Sequence, residues 1–212
     1  MQHCPLCRHD NIIPVFEDRR RHFFLCQTCA LVFANPSSYL LPNAEKQRYG
    51  RSRHESKQKQ LAHFIETLLL QLQSLQSNSL EGLNFGRVLA PQLLQPLALA
   101  GHRLHQYDPF FAPEHQLLHQ QYDFISCYRV FEHFHLPVKE WQIIVQALKP
   151  GGWLAISTPL LQSVAVFSKW HYKNNPTHVS FYQPQTFAYL AKHSCLQLIF
   201  AQGDFVLMQK AS

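Results

Sequence analysis

Residues 122–159 read YDFISCYRVFEHFHLPVKEWQIIVQALKPGGWLAISTP. Tyr122–Val130 is an apolar run of strand length, and Val138–Leu148 has helical spacing. Lys149-Pro-Gly-Gly152 is a sharp turn, and Trp153–Pro159 is a second apolar run. Strands that are apolar throughout are buried on both faces, and a helix between them makes them parallel. Upstream, Leu83–Leu89 predicts a strand broken at Gly86. Pro91 suits the first turn of a helix that runs to Ala100 and is capped by Gly101, and His102–Asp108 predicts another strand. A short helix is expected near Glu114–Gln120. Downstream come a helix over Pro184–His193 and a strand pair, Leu196–Phe200 and Phe205–Gln209, around Gly203-Asp204. The class is α/β, with a mostly parallel sheet covered by helices on both faces.

The N-terminus is a different kind of structure. Cys4-Pro-Leu-Cys7 and Cys26-Gln-Thr-Cys29 are CxxC pairs eighteen residues apart, which is zinc-ribbon spacing. Four thiolates close a tetrahedral Zn²⁺ shell, so the expected role is structural. Two disulfides would need an oxidising compartment, and the polar start Met1-Gln-His-Cys4 offers no apolar signal segment. A redox CxxC would be expected beside a βαβ pattern, which these pairs lack. Cys127 and Cys195 sit in apolar runs and are expected to be buried and inert.

Three segments follow: a ribbon over 1–35, a connector and amphipathic helix over 36–80, and an α/β domain over 81–212. The connector runs from Asn35 through Pro42, and a basic polar stretch continues to about residue 57. Leu61, Phe64, Ile65, Leu68, Leu72 and Leu75 then mark one helical face, ended by Ser77 to Gly82.

The chain has 212 residues, 46% hydrophobic and 15% charged, with net charge +6. No run reaches membrane-spanning length, and a cytoplasmic location is expected. The basic excess gathers at Arg19–Arg21 with His22, and at Arg48, Arg51, Arg53, His54, Lys57 and Lys59. A solvated hairpin tip and linker is the favoured reading over a nucleic-acid surface, because no aromatic stacking motif accompanies the charge.

In an open α/β sheet a ligand sits beyond the carboxyl ends of the strands, near the switch point. The first strand ends at Gly86 and the second at Tyr107-Asp108-Pro109. Asp108 could accept both hydroxyls of a ribose, or it could serve only as a turn former. The third strand ends in Arg129-Val-Phe-Glu132-His133.

The motifs Leu83-Asn-Phe-Gly86, Gln106-Tyr-Asp-Pro-Phe-Phe111, Tyr122-Asp-Phe-Ile-Ser126, Phe131-Glu-His133 and Leu148-Lys-Pro-Gly-Gly152 resemble those of class I S-adenosylmethionine-dependent methyltransferases. Trp170-His-Tyr-Lys-Asn-Asn-Pro-Thr-His178-Val-Ser-Phe181 looks like the WHYxxDPTHVxFF box of a bacterial subfamily that also carries an N-terminal CxxC…CxxC ribbon. The resemblance implies a Rossmann-like sheet and two cofactors, S-adenosylmethionine and structural zinc. It also implies a small-molecule acceptor, of which a nucleotide-linked sugar is one candidate; RNA or protein is another. Phe85, Gly86 and Ala90 would wrap the methionine end, Tyr107, Asp108 and Pro109 the ribose. Ser126, Cys127 and Tyr128 would flank the adenine or methyl-donor side. Glu132, His133, His171, Tyr172 and His178 would face the acceptor, with His178 and His133 as bases. Only thirteen residues separate Asp108 from Tyr122, too few for the usual helix, strand and helix. About six strands are therefore expected, the last antiparallel and the usual third missing.

The chain departs from that pattern on one rim. Val88 and Ala90 replace glycines, Asn84 and Asn175 replace acids, and Arg129 replaces a glutamate. Val88 is β-branched and resists positive φ. Two readings stay open: a working methyltransferase with a more positive pocket, or a catalytically degenerate zinc-ribbon binding or scaffold module. A hollow plugged by Val88 or Arg129 would exclude the first.

Overall fold

The computed structural model describes residues 3–51, 55–73 and 79–212. Arg53, His54, Leu75 and Ser77 lie outside the described residues, as do the side chains of Arg51, Lys57 and Lys59. In chain order the elements are β1 (Ile12–Glu17), β2 (His22–Cys26), β3 (Val32–Ala34), α1 (Pro42–Arg51) and α2 (Glu55–Gln73). Then come β4 (Glu81–Phe85), α3 (Pro91–Leu99), β5 (Arg103–Tyr107), β6 (Tyr122–Tyr128), α4 (Pro137–Ala147) and β7 (Leu148–Ser157). The last four are β8 (Ser180–Phe181), α5 (Pro184–His193), β9 (Leu196–Gln202) and β10 (Phe205–Lys210).

The main sheet has six strands in the order β5-β4-β6-β7-β10-β9. Strands β5, β4, β6 and β7 are parallel, and β10 runs antiparallel to both its neighbours. Between β5 and β6 there is only an Asp108–Ala112 bridge and a 3-10 turn at His115–His119, so β5 is an edge and the expected third strand is absent. The chain reverses its direction of growth between β4 and β6, which creates the switch point.

Strand alternation divides the core in two. Ile125, Cys127, Leu154, Ile156, Val206 and Met208 face one layer, which includes Trp141 and Ile144 of α4 and Phe187 and Leu190 of α5. Phe124, Tyr128, Ala155 and Leu207 face the other, against Leu61, Phe64, Ile65, Leu68 and Leu72 of α2. The i, i+3, i+4 spacing of those α2 residues makes a single apolar stripe. Burying each such side chain stabilises by about 1.5–3 kcal/mol.

The N-terminal ribbon is not a separate body. Its sheet has the order β1-β2-β3-β8, with Val32 opposite Phe181 and Phe33 opposite Ser180. The fourth strand of the ribbon sheet therefore comes from the 81–212 segment. Phe23, Phe167, Val179 and Phe181 close a third apolar cluster over that junction.

Several boundaries differ from expectation. Part of the supposed basic stretch, Pro42–Arg51, is helix α1. Its inward residues are Glu45 and Tyr49, four apart, and one is charged, so no apolar stripe advertises it. Strand β4 stops at Phe85, before the Gly86 bend, and β6 stops at Tyr128. The Lys149–Gly152 turn is a bulge inside β7, where pairing jumps from Tyr122–Leu148 to Phe124–Trp153. Cys127 is buried, but Cys195 is exposed. Cys195 takes φ +53 in the turn between α5 and β9, which swings its thiol out as Leu196 enters the core. No described helix is long and apolar enough to cross a membrane.

Candidate active site

A cavity of about 760 Å³ opens at the carboxyl ends of β4, β5 and β6. Its walls come from α1, α2, the loop after β4, Asp108, the 128–133 segment and the 172–178 loop.

Asp108 is buried at the end of β5. Its Oδ1 accepts from the backbone N–H groups of Phe110 at 2.7 Å and Phe111 at 3.0 Å. Its Oδ2 is buried with no hydrogen-bond partner among the described residues. Burial pushes the carboxyl up, and the two N–H donors oppose that. One oxygen of Asp108 forms the turn, and the other is buried without a partner among the described residues. An unsatisfied buried acceptor costs about 1–3 kcal/mol, which a bound donor would recover.

The loop after β4 is built from amides rather than a run of glycines. Gly86 has φ +119, and a Cβ there would lie 2.7 Å from the Val130 side chain. Asn84 Nδ2 donates to the Arg87 carbonyl at 2.8 Å while its Oδ1 accepts from Ser126 Oγ at 3.2 Å. The Leu89 N–H donates to Gln106 Oε1 at 2.6 Å, and Gln106 Nε2 returns a bond to the Leu89 carbonyl at 3.3 Å. Among the described residues the non-glycine positions with positive φ are Arg8, Ala30, Arg129 and Cys195. Val88 is thus under no such demand, and it stands 41% exposed at the rim. Arg129, at φ +49, forms part of the wall and ion-pairs with Asp204. Neither side chain fills the cavity.

The other wall is a hydrogen-bonded polar cluster. Glu132 is buried; its Oε1 accepts from the Tyr172 hydroxyl and its Oε2 from Thr158 Oγ1 at 2.9 Å. Burial opposes ionisation of Glu132, yet the positive charge of His133 or His178 when either ring takes up a proton in acid, together with the Tyr172 hydroxyl, holds it below its ordinary value. His133 Nδ1–H donates to the Thr177 carbonyl at 3.0 Å, which leaves Nε2 as its acceptor nitrogen. Burial pushes His133 down to about 4, with Glu132 pulling the other way. The His133 and His178 rings meet edge to face at 4.9 Å. Burial, and then Glu132, raise Tyr172, so it is a donor. The segment is zipped in place by Val179 N–H on the Glu132 carbonyl at 2.8 Å and Ser180 Oγ on the Phe134 carbonyl at 2.8 Å.

Of the residues picked from sequence, Ala90, Asp108, Glu132, His133, Tyr172 and His178 line the cavity. His171 does not: it is exposed, outside the lining. Cys127 does not either, because its position on β6 points into the opposite core layer, and Tyr128 takes the cavity side. Phe85 and Tyr107 are core residues with ring centroids 5.3 Å apart. Gly86 is buried behind the lining, and Pro109 is exposed beyond it. Sequence reasoning missed Tyr49, which roofs the cavity from α1 against Phe110, Phe111 and His133. An aromatic alone in a polar stretch was its only signal. It also missed Arg87, whose guanidinium lies over the Tyr49 ring at 5.0 Å, and Thr177.

The ribbon reaches this cluster through Arg21. That side chain is buried, and it donates to the carbonyls of Lys173, Asn175 and His178. Arg19 and Arg20 remain exposed. The Cys4, Cys7, Cys26 and Cys29 sulfurs all lie within 4.8 Å of one another, with Cys4–Cys29 at 3.6 Å and Cys7–Cys26 at 3.4 Å. A zinc tetrahedron with Zn–S of about 2.3 Å has edges of about 3.8 Å, so the four can hold zinc. The Cys4 thiol is pushed up to about 12 by its bond to Cys26 and by burial; a divalent cation would reverse that.

A family model for a methyltransferase domain matches residues 45–199, beginning after both cysteine pairs. No curated protein matches the chain. Among solved structures the chain is similar to the 1,6-didemethyltoxoflavin-N1-methyltransferase of Burkholderia thailandensis, crystallised with 1,6-didemethyltoxoflavin and S-adenosylhomocysteine. Identity is 13%, TM-score 0.56, and coverage 94% of this chain and 99% of that one. It is also similar to a SAM-dependent methyltransferase, possible histamine N-methyltransferase, of Thermotoga maritima, at 13% identity and TM-score 0.46, covering 79% and 99%. At 13% identity the likeness to the Burkholderia thailandensis enzyme is one of fold.

Proposed function

The chain belongs to the methyltransferase-domain family, and from that premise we propose that it transfers a methyl group from S-adenosylmethionine to a small-molecule acceptor. The observation that carries this is the pairing, in one cavity, of the partnerless Asp108 Oδ2 with the Glu132, His133, Tyr172 and His178 cluster. When bound, S-adenosylmethionine supplies an electrophilic methyl group on a sulfonium. Asp108 Oδ2 would take a ribose hydroxyl, and the amide-braced loop from Arg87 to Ala90 would hold the methionine end. His133 is neutral at pH 7, and its Nε2 would receive the acceptor's proton as the acceptor attacks. Glu132 lies beside the imidazolium that forms and stabilises it. The Tyr172 hydroxyl gives its hydrogen to Glu132, so its oxygen would accept from an N–H or O–H of the acceptor and orient it.

Arg48, Arg87 and Arg129 on the wall suit an acceptor that carries an anionic group, and a nucleotide-linked sugar is one such molecule. Cys4, Cys7, Cys26 and Cys29 would hold a structural zinc, and thiols kept available for it suit a reducing cytoplasm.

Thermal denaturation with S-adenosylhomocysteine tests the cofactor half. A ligand at about 100 times its Kd stabilises by about 2.7 kcal/mol, a rise of several degrees. No shift at millimolar ligand would end this reading.

A further inference from the structure

Asn175 lies in the 172–178 loop with its amide pinned. Its Oδ1 accepts from the Thr177 backbone N–H at 3.1 Å and from the Thr177 hydroxyl at 2.9 Å. The Thr177 backbone N–H can only donate, and it settles which end of the amide is which, because a flipped amide would set its NH₂ against that N–H. Nδ2 therefore meets His178 Nε2, 3.0 Å away, as a donor. On the far side of the ring, His178 Nδ1 is 2.8 Å from the Tyr172 carbonyl oxygen, which only accepts, so Nδ1 carries a hydrogen. Both ring nitrogens are then committed to the neutral Nδ1–H tautomer. A proton added at Nε2 would put two N–H donors head to head.

We propose that Asn175 is a positioning residue that keeps His178 uncharged beside His133, so that the proton leaving the acceptor goes to His133. The proposal rests on the methyl-transfer reading above. The groups facing His178 include the Glu132 carboxylate, the His133 imidazole at 4.9 Å and the Tyr172 ring at 4.1 Å, with the Arg21 guanidinium on its carbonyl and Arg129 beyond Tyr172. Glu132 favours a cation on either imidazole. The Asn175 amide decides between them: it blocks Nε2 of His178, while the bond His133 makes to Thr177 uses only Nδ1. A cation at His178 would repel a second proton from the adjacent His133 and weaken it as a base.

The test is ¹⁵N NMR of the histidine side chains in the zinc-loaded full chain, with the variant Asn175→Asp. Wild type should show His178 with Nδ1 protonated and Nε2 bare at neutral pH. The variant keeps an oxygen for Thr177 but turns the donor into an acceptor. His178 should then become doubly protonated at neutral pH, and turnover should fall about tenfold or more without loss of S-adenosylhomocysteine affinity. A wild-type His178 that is doubly protonated or carries its hydrogen on Nε2 overturns the proposal, as does a variant whose His178 titrates like wild type. The wild-type spectrum decides even if the variant does not fold. These shifts need neither acceptor nor turnover, so the role of Asn175 is decided separately even in a chain that fails to methylate.

Discussion

The Arg21 guanidinium donates from Nη1 to the backbone carbonyl of His178, 3.3 Å away and 157 residues later in the chain. Further bonds from the same side chain to Lys173 and Asn175 make the ribbon a brace for the loop that carries the polar cluster. Stabilising the ribbon therefore stabilises the position of His178.

Replacing Arg21 separates brace from cofactor site. Arg21→Met takes the donor from the buried Lys173 and His178 carbonyls, at about 1–3 kcal/mol each, while the Asn175 carbonyl keeps the His178 N–H. Denaturant titration should show that loss, and turnover should fall while S-adenosylhomocysteine affinity, measured by calorimetry, stays within about twofold. Arg21→Lys should recover little, since an ammonium cannot span carbonyls arranged for a guanidinium fork. Equal loss of cofactor affinity and turnover would show that the brace is not local to the loop.

Zinc should act over the same route. Mass spectrometry of the intact chain should find one zinc, lost in Cys26→Ser. Because β3 pairs with β8, chelation should raise hydrogen exchange at Val179–Tyr182 as well as in the ribbon. Exchange confined to residues before Ala34 would show that the two sheets' fates are independent.

Asp108→Asn keeps an oxygen for the Phe110 and Phe111 N–H groups but puts an amide NH₂, a donor, at the Oδ2 position. S-adenosylhomocysteine should bind about tenfold or more weakly, with the fold intact by circular dichroism. Unchanged affinity would remove Asp108 from the cofactor site.

Stability should depend on pH through His133. Its folded value of about 4 lies below the ordinary 6.5, so the unfolded chain binds the proton more readily. The contribution is fully present above pH 6.5 and is lost as pH falls through about 4, amounting to about 3 kcal/mol. Urea titrations across that window should show the decline, and His133→Gln should flatten it. Glu132, also held low, adds loss in the same direction at the acid end.

Much of the fold was legible because its causes are local. The CxxC spacing, the apolar β6 and β7 runs, the α2 stripe and the thirteen-residue gap after Asp108 are each read within a short window. Helix α1 was not legible, since Tyr49 and Glu45 face inward without an apolar repeat. At the site, Asp108, Glu132, His133 and His178 stood at strand ends or in the box. Cys127 and His171 were misplaced because a neighbour in sequence points the other way: β6 alternation buries Cys127, and the short turn at His171–Asn174 exposes His171.

Chain order and residue type alone were enough to specify four cysteines that could hold a metal, the six-stranded α/β sheet and the acid at the end of β5. They could not specify that Arg21 reaches His178, that Asn175 turns its nitrogen toward Nε2, or that Val88 leaves the cavity open. Those facts concern the direction of hydrogen bonds and side chains, the first of them between segments 157 residues apart, and such directions are set only once the chain has packed.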